Sequence, residues 1–281
     1  MLLTHLLVTA ALLGADDTPA ASAKAIEALQ KFHLAEAQRW SMFVDDRQQT
    51  KAQLRTKPIY VWTNPTRSGG QNGAVYVWIH RGRPVVVGSI FSHPEEGKRI
   101  LCHEFHSLAE EELQPKHPQT EPWEPKAPVE MLPLVGAAAP EQSPSKRLLQ
   151  MKALARDFTA YSVDYMKERW ELRLLGQPLY RYEKPQDDVI DGTIFAFVTS
   201  AGTDPEVVLV LEARKQGSGP AWFYRAIRFS DSDLHVQRDG KEVWNSVRDE
   251  TRNTLYYNPD HTYRLIRDRY VEELPELKAE E

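Results

Sequence analysis

The run LCHEFHSL, residues 101–108, brings together a thiol, two imidazoles and a carboxylate: Cys102, His103, Glu104 and His106. Groups of these types can ligate zinc or act as acid, base or nucleophile. Spacing decides how much of that chemistry is open. A zinc-hydrolase helix carries its two histidines four residues apart, so that both imidazoles share one face. Here His103 and His106 are three apart. The longer run RILCHEFHSL reads as a strand, on which residues three apart point to opposite sides of the sheet. His103 then goes with Phe105 and Ser107, and Cys102 goes with Glu104 and His106. The plainer expectation is that no metal, cofactor or catalytic group resides here. The polar side chains would face solvent or pair across the sheet, with Cys102 a small buried hydrophobe. Two alternatives stay open on the second face. Glu104 and His106 could do acid–base work, and Cys102 with His106 could hold a metal if His80 or His93 joined from neighbouring strands. A Cys102–His106 nucleophile pair is weaker, because same-face strand positions align poorly for proton transfer.

Other polar clusters read as turns. RSGGQNGA (67–74) lacks the spacing of a phosphate-binding loop. DDVIDG (187–192) and AGTDPE (201–206) lack the alternation of a calcium loop, and no Gly-x-Ser-x-Gly elbow is present.

The elements that would position these residues fall into two similar halves. QLRTKPIYVW…NGAVYVWIHRGRPVVVGSIF in the first half matches ELRLLGQPLYRY…DGTIFAFVTSAGTDPEVVLVLE in the second. Tyr60 corresponds to Tyr180, Gly73 to Gly192, Tyr76 to Phe195, Trp78 to Phe197, and Pro84–Val87 to Pro205–Val208. Ordered matches of this kind suggest a duplication. In each half a helical pattern precedes the strands. Leu154, Phe158, Tyr161 and Tyr165 make one apolar stripe, and Ile26, Leu29, Trp40 and Val44 a looser one. GAVYVWI, PVVVGSIF and RILCHEFHSL then read as antiparallel strands, as do GTIFAFV, EVVLVLEA and AWFYRAIRFS. In this matching Arg225 and Arg228 stand where His103 and His106 stand, so the histidine pair belongs to one half only. LHVQRDGKEVW reads as a hairpin turning at Asp239-Gly240.

The expected organisation is a signal peptide over 1–23, a helix-plus-sheet module over 24–113, and a Pro-rich connector over 114–147. A second helix-plus-sheet module follows over 148–245, and then a C-terminal extension over 246–281, helical in HTYRLIRDRYVEELPEL. The connector holds eight of the nineteen prolines, which favours an extended path. Trp123 within it would pin it to a module by burial. The fold class is α+β, each module a helix followed by an antiparallel β-meander.

Composition sets the outer limits. The 281 residues are 41% hydrophobic with seven tryptophans, enough for real cores. The net charge of −5 with interspersed signs argues against a nucleic-acid partner. MLLTHLLVTAALLGADD has the short apolar core of a signal peptide, and Ala21-Ser22-Ala23 suits cleavage. No other apolar run is long enough for a transmembrane helix. The single cysteine rules out an intramolecular disulfide.

At RLLQMKALARDFTAY, WELRLLGQPLYRYE, DGTIFAFV and TDPEVVLVLEA the chain resembles a family of uncharacterised secreted bacterial proteins. The resemblance implies export and a globular α+β domain, and it carries no catalytic residue. The reading is of an exported, non-catalytic binding or interaction protein of the cell envelope, with a small ligand or a protein as partner. The alternative is an extracytoplasmic hydrolase with a polar or metal site around His103, Glu104 and His106.

Overall fold

The computed structural model describes residues 23–45, 47–120, 122–125, 130–217, 219–247, 261–272 and 274. All but the last residue of the expected signal peptide lies outside them. The chain runs α1 (Ala23–Gln38), β1 (Ser41–Phe43), β2 (Gln53–Leu54), β3 (Tyr60–Asn64), β4 (Gln71–His80), β5 (Arg83–Glu95), β6 (Lys98–Ser107), β7 (Gln114–Lys116) and β8 (Leu132–Pro133). It continues α2 (Pro144–Arg156), β9 (Phe158–Val163), β10 (Arg169–Leu174), β11 (Tyr180–Arg181), β12 (Val189–Val198), β13 (Pro205–Arg214), β14 (Ala221–Arg228), β15 (Asp233–Arg238), β16 (Lys241–Ser246) and β17 (Tyr263–Val271).

Two antiparallel sheets carry the structure. The first runs β17-β6-β5-β4-β2, with β3 also on β4; the second runs β16-β15-β9-β10-β12-β13-β14-β8, with β11 also on β12. The long strands form where Val, Ile, Tyr, Trp and Phe runs stop at residues that can take a left-handed turn. Arg81-Gly82 joins β4 to β5, Glu96-Gly97 joins β5 to β6, and Asp239-Gly240 joins β15 to β16, all with positive φ at both positions. That is the two-residue turn whose twist matches a hairpin.

The two sheets lie face to face. Side chains alternate across each strand, so Tyr76, Trp78 and Phe105 pack beneath α1, while Phe195, Phe197 and Leu209 pack beneath α2. The intervening positions form a third core between the sheets, with Val75, Val77 and Val87 against Ile194, Val208 and Val210. The order of layers is therefore α1, first sheet, second sheet, α2. A buried ion pair pins the seam: Arg83 Nε donates to Glu212 at 2.7 Å, and Glu212 also accepts from Tyr182 Oη at 2.8 Å.

Glycine admits an aromatic ring at matching places in both sheets. A Cβ on Gly73 would lie 2.4 Å from Trp62 Cε2, and one on Gly192 would lie 2.5 Å from Tyr182 Cε2.

Several expectations change. HTYRLIRDRYVEELPEL does not begin a helix: residues 263–271 form β17, which covers the edge of β6. An open edge next to buried strands is costly to leave unpaired, and this pairing overrides the local helical spacing. The helix of the second half ends at Arg156, so Phe158 and Tyr161 lie on β9 and Tyr165 in the following turn. Pairing of β9 with both β10 and β15 claims those residues for the sheet. In the first half α1 ends before Trp40 and Val44, and Ile26 is exposed.

The Pro-rich segment is packed rather than free-standing. β7 pairs with β1 and β8 with β14. Trp123 is fully buried and stacks on Phe105 at 5.5 Å between ring centroids. Pro144 opens α2, where a missing N–H costs nothing. Among the described residues no helix is long and apolar enough to cross a membrane.

Candidate functional site: a cleft between the sheets

β6 is buried on both faces, because the second sheet covers one and the α1 side covers the other. His103 is fully buried, and Glu104 and His106 are 7% and 6% exposed. Of the two expectations for these side chains, exposure to solvent is overturned, whereas Glu104 does pair across the sheet, accepting from Tyr263 on β17. The division of faces is as expected for Cys102, Glu104 and His103: the first two line a space between the sheets, while His103 looks toward Trp40.

Burial works against acid–base or nucleophilic chemistry by these groups. His106 is held down to about 3, chiefly by burial and further by Arg225 and Arg228, although its bond to the Ser107 carbonyl opposes this. His103 is likewise at about 3, from burial first and then from His117, Arg269 and Arg39. The Cys102 thiol is pushed up to about 12 by burial. Cys102 and His106 stand about 13 Å apart along one strand, at about 3.3 Å per residue, so they form no nucleophile pair. The set Cys102, His106, His80 and His93 is not assembled either. His93 lies across from Ile100, near Cys102, but His80 lies at the far end of β4, opposite Arg83.

The alignment of Arg225 and Arg228 with the two histidines is off by one. If Val87 is matched with Val208 as in the sequence comparison, their pairings with His106 and Ile227 set Arg225 and Arg228 against Glu104 and Ser107.

Among the described residues one grouping has metal-ligand spacing: Glu36, His103 and Asp268, with candidate atoms all within 4.8 Å of one another. Its charges are already met. Arg269 pairs with both Glu36 and Asp268, and Arg39 pairs with Glu36. The indole N–H of Trp40 donates to His103 Nδ1 at 3.2 Å, which places the proton of the neutral ring on Nε2 and leaves no lone pair there for a cation. The arrangement is an ion-pair network under α1.

The space that Cys102 and Glu104 line is a cleft of about 640 Å³, opening between the two sheets. Its walls come from both halves. Arg67 reaches across from the β3–β4 loop, Nη1 to Asp204 at 2.9 Å and Nη2 to Glu206 at 3.0 Å. Asn64 Nδ2 donates to Asp204 at 2.9 Å beside it. Burial pushes Glu104 well above the usual carboxylate range; Tyr263 Oη, donating to it at 2.6 Å, draws it down, while Glu206, Asp231 and Asp204 raise it further. Burial thus favours the protonated form of Glu104. Burial also raises Glu206, against the pull of Arg67. Trp170 stands at the mouth, its indole N–H fixed on Asp164 at 3.0 Å.

Of the residues singled out from the sequence, Cys102, Glu104 and His93 line this cleft; His103, His106 and His80 do not. Arg67, Asp204, Thr199 and Trp170 went unrecognised. Arg67 and Asp204 sit in segments that read as turns, and no spacing relates residues 137 apart.

No protein family, no curated protein and no solved structure matches the chain.

Proposed function

We propose that this chain is an exported, non-catalytic binding protein of the cell envelope that holds a small ligand in the cleft between its sheets. The observation that carries the reading is the cleft itself. At about 640 Å³ it has the size of a small-ligand pocket, with aromatic walls and a few placed polar groups. Thr199 Oγ1 is buried there without a hydrogen-bond partner in the protein, and a buried hydroxyl left unpaired costs free energy that a ligand would recover. The apolar segment before residue 23 supports export.

We further infer that the two sheets arose by duplication. The support is topological. Tyr60 pairs with Val75, two residues after Gly73, and Tyr180 pairs with Ile194, two residues after Gly192. Glycine admits Trp62 and Tyr182 at matching positions. Divergence after duplication would explain why only one half carries Glu104.

A hydrolase acting outside the cytoplasm is the second reading, favoured by one observation: Glu104 lines the cleft, where burial favours the protonated form a general acid needs. His103 and His106 have no part in it.

Thermal-shift measurements test the binding reading, with a panel of neutral, cationic, anionic and apolar small molecules. Thr199→Trp would put an indole into the cleft, and Leu149→Ala, on the outer face of α2, serves as control. Shifts seen in wild type and Leu149→Ala but lost in Thr199→Trp support the reading. Shifts that persist in Thr199→Trp contradict it.

A further inference from the structure

We propose that the cleft takes a carbohydrate: a neutral, polyhydroxylated ring that stacks on Trp170 and Tyr165 at the mouth and hydrogen-bonds to Thr199, Gln71 and Glu104 within. The inference rests on the reading of the cleft as a binding site and specifies its ligand class.

Charge comes first. The cations that line the cleft are already matched by carboxylates. Arg67 is bonded to Asp204 and Glu206, and Arg267 to Glu95 at 2.7 Å. Asp231 lies in the field of Arg67 and Arg228. Asp164 accepts from the backbone N–H groups of Met166 and Glu168 and from the Trp170 indole. An anionic ligand would lose its hydration without gaining an unmatched cation, and such a transfer is unfavourable. A neutral ligand avoids that loss.

The uncommitted polar groups have a second property in common. Thr199 Oγ1 is a hydroxyl, Gln71 an amide, Ser162 a hydroxyl and Glu104 a carboxyl whose protonated form burial favours, and all four line the cleft while less than a tenth exposed. Each can both donate and accept a hydrogen bond. Tyr263 donates to Glu104 Oε1, which leaves the other carboxyl oxygen to meet a ligand. A sugar hydroxyl is also donor and acceptor at one atom, and a row of such groups satisfies it where fixed charges would not.

The mouth supplies the apolar half of the match. Trp170 is 40% exposed and Tyr165 73% exposed, and both border the cleft. An exposed indole held in place by Asp164 is a fixed flat surface that pays little ordering entropy when covered. The C–H face of a pyranose ring covers such a surface. The volume lies within the usual range of small-ligand pockets.

Isothermal titration on the full chain tests this. The saccharide set is cellobiose, maltose, lactose and N,N′-diacetylchitobiose; the charged set is spermidine, citrate and glucose 6-phosphate. Wild type, Trp170→Ala, Gln71→Ala and Thr199→Trp are compared, and the two alanine variants keep the test open should the tryptophan insertion unfold the protein. Expected is saturable binding of at least one neutral disaccharide, weakened about tenfold by Trp170→Ala or Gln71→Ala and abolished by Thr199→Trp. Disaccharide binding that none of the variants alters overturns the inference. Binding of a charged compound alone, sensitive to these variants, overturns the carbohydrate class and leaves the cleft as a binding site. No binding from either set overturns the inference, and if the broader thermal-shift panel is also silent the cleft reading falls with it. Cleavage of a bound disaccharide, lost in Glu104→Gln, supports the ligand class and replaces binding with hydrolysis.

Discussion

Replacing His106 by Asn isolates what burial does to the LCHEFHSL segment. The Asn amide can donate to the Ser107 carbonyl, as His106 Nδ1 does at 2.7 Å, but it does not titrate. In the folded wild type His106 takes up a proton only near pH 3, against an ordinary value of 6.5. Between those limits the unfolded chain binds a proton that the folded chain does not, so wild-type stability is full above about pH 6.5 and falls as the pH drops toward 3. The slope is about 1.4 kcal/mol per pH unit for one group. From pH 6.5 to 4.5 the wild type should therefore lose roughly 2 kcal/mol relative to His106→Asn. Any loss from the smaller side chain is independent of pH and drops out of the comparison. Urea unfolding followed by tryptophan fluorescence at pH 7.5, 6.5, 5.5 and 4.5 gives the two curves. A difference that stays flat across that range would refute the burial of His106 and the stacking of the sheets that causes it.

Glu104→Gln carries the opposite sign. Folded Glu104 keeps its proton after unfolded Glu104 has lost it, so the wild type pays from about pH 4.5 upward, about 1.4 kcal/mol per unit until the folded group ionises. The variant should match wild type at pH 4 and melt higher at pH 8; parallel melting temperatures from pH 4 to pH 8 would contradict this. Gly88→Ala would put a Cβ 2.3 Å from Phe105 Cδ1. An expected loss of about 1–3 kcal/mol in urea unfolding should be recovered in part by adding Phe105→Leu. Arg83→Met leaves the fully buried Glu212 with Arg214 as its remaining cation. Breaking a buried pair in this way costs about 3 kcal/mol, and a change below about 1 kcal/mol would show that the seam does not depend on it.

Local chemistry made much of the sheet legible. GAVYVWI, PVVVGSIF, GTIFAFV and EVVLVLEA stop at glycine, proline or asparagine and carry β-branched and aromatic residues, so each strand announces itself. The stripe through Phe158, Tyr161 and Tyr165 misled because alternate positions of β9 are also apolar or small, and a short segment satisfies both periods. HTYRLIRDRYV reads as a helix until the open edge of β6 is known, and that edge is a tertiary fact. The stacking of the sheets was hidden for the same reason. Val75 and Val77 could have faced either water or a partner layer, and only the matching apolar row of Ile194, Val208 and Val210 settles it. The cleft depends on that stacking, so Arg67 and Asp204 carried no signal beyond their turn chemistry, whereas Glu104 stood out as a carboxylate on a strand face.

The cleft exists because the two sheets meet face to face, and one cross-link tests that meeting. A Cβ on Gly202 would lie 2.7 Å from Asn64 Cγ, close to where a sulfur at position 64 would sit. In the double variant Asn64→Cys/Gly202→Cys the sulfurs can therefore reach bonding distance across the seam. Cys102, buried with its thiol at about 12, should stay silent to Ellman's reagent in the native protein. On mild oxidation the account predicts an intramolecular disulfide, with the mass falling by two hydrogens and no reactive thiol remaining until the protein is denatured. Two thiols still reactive in the oxidised, folded protein would mean that the sheets do not adjoin there, and the cleft would go with them.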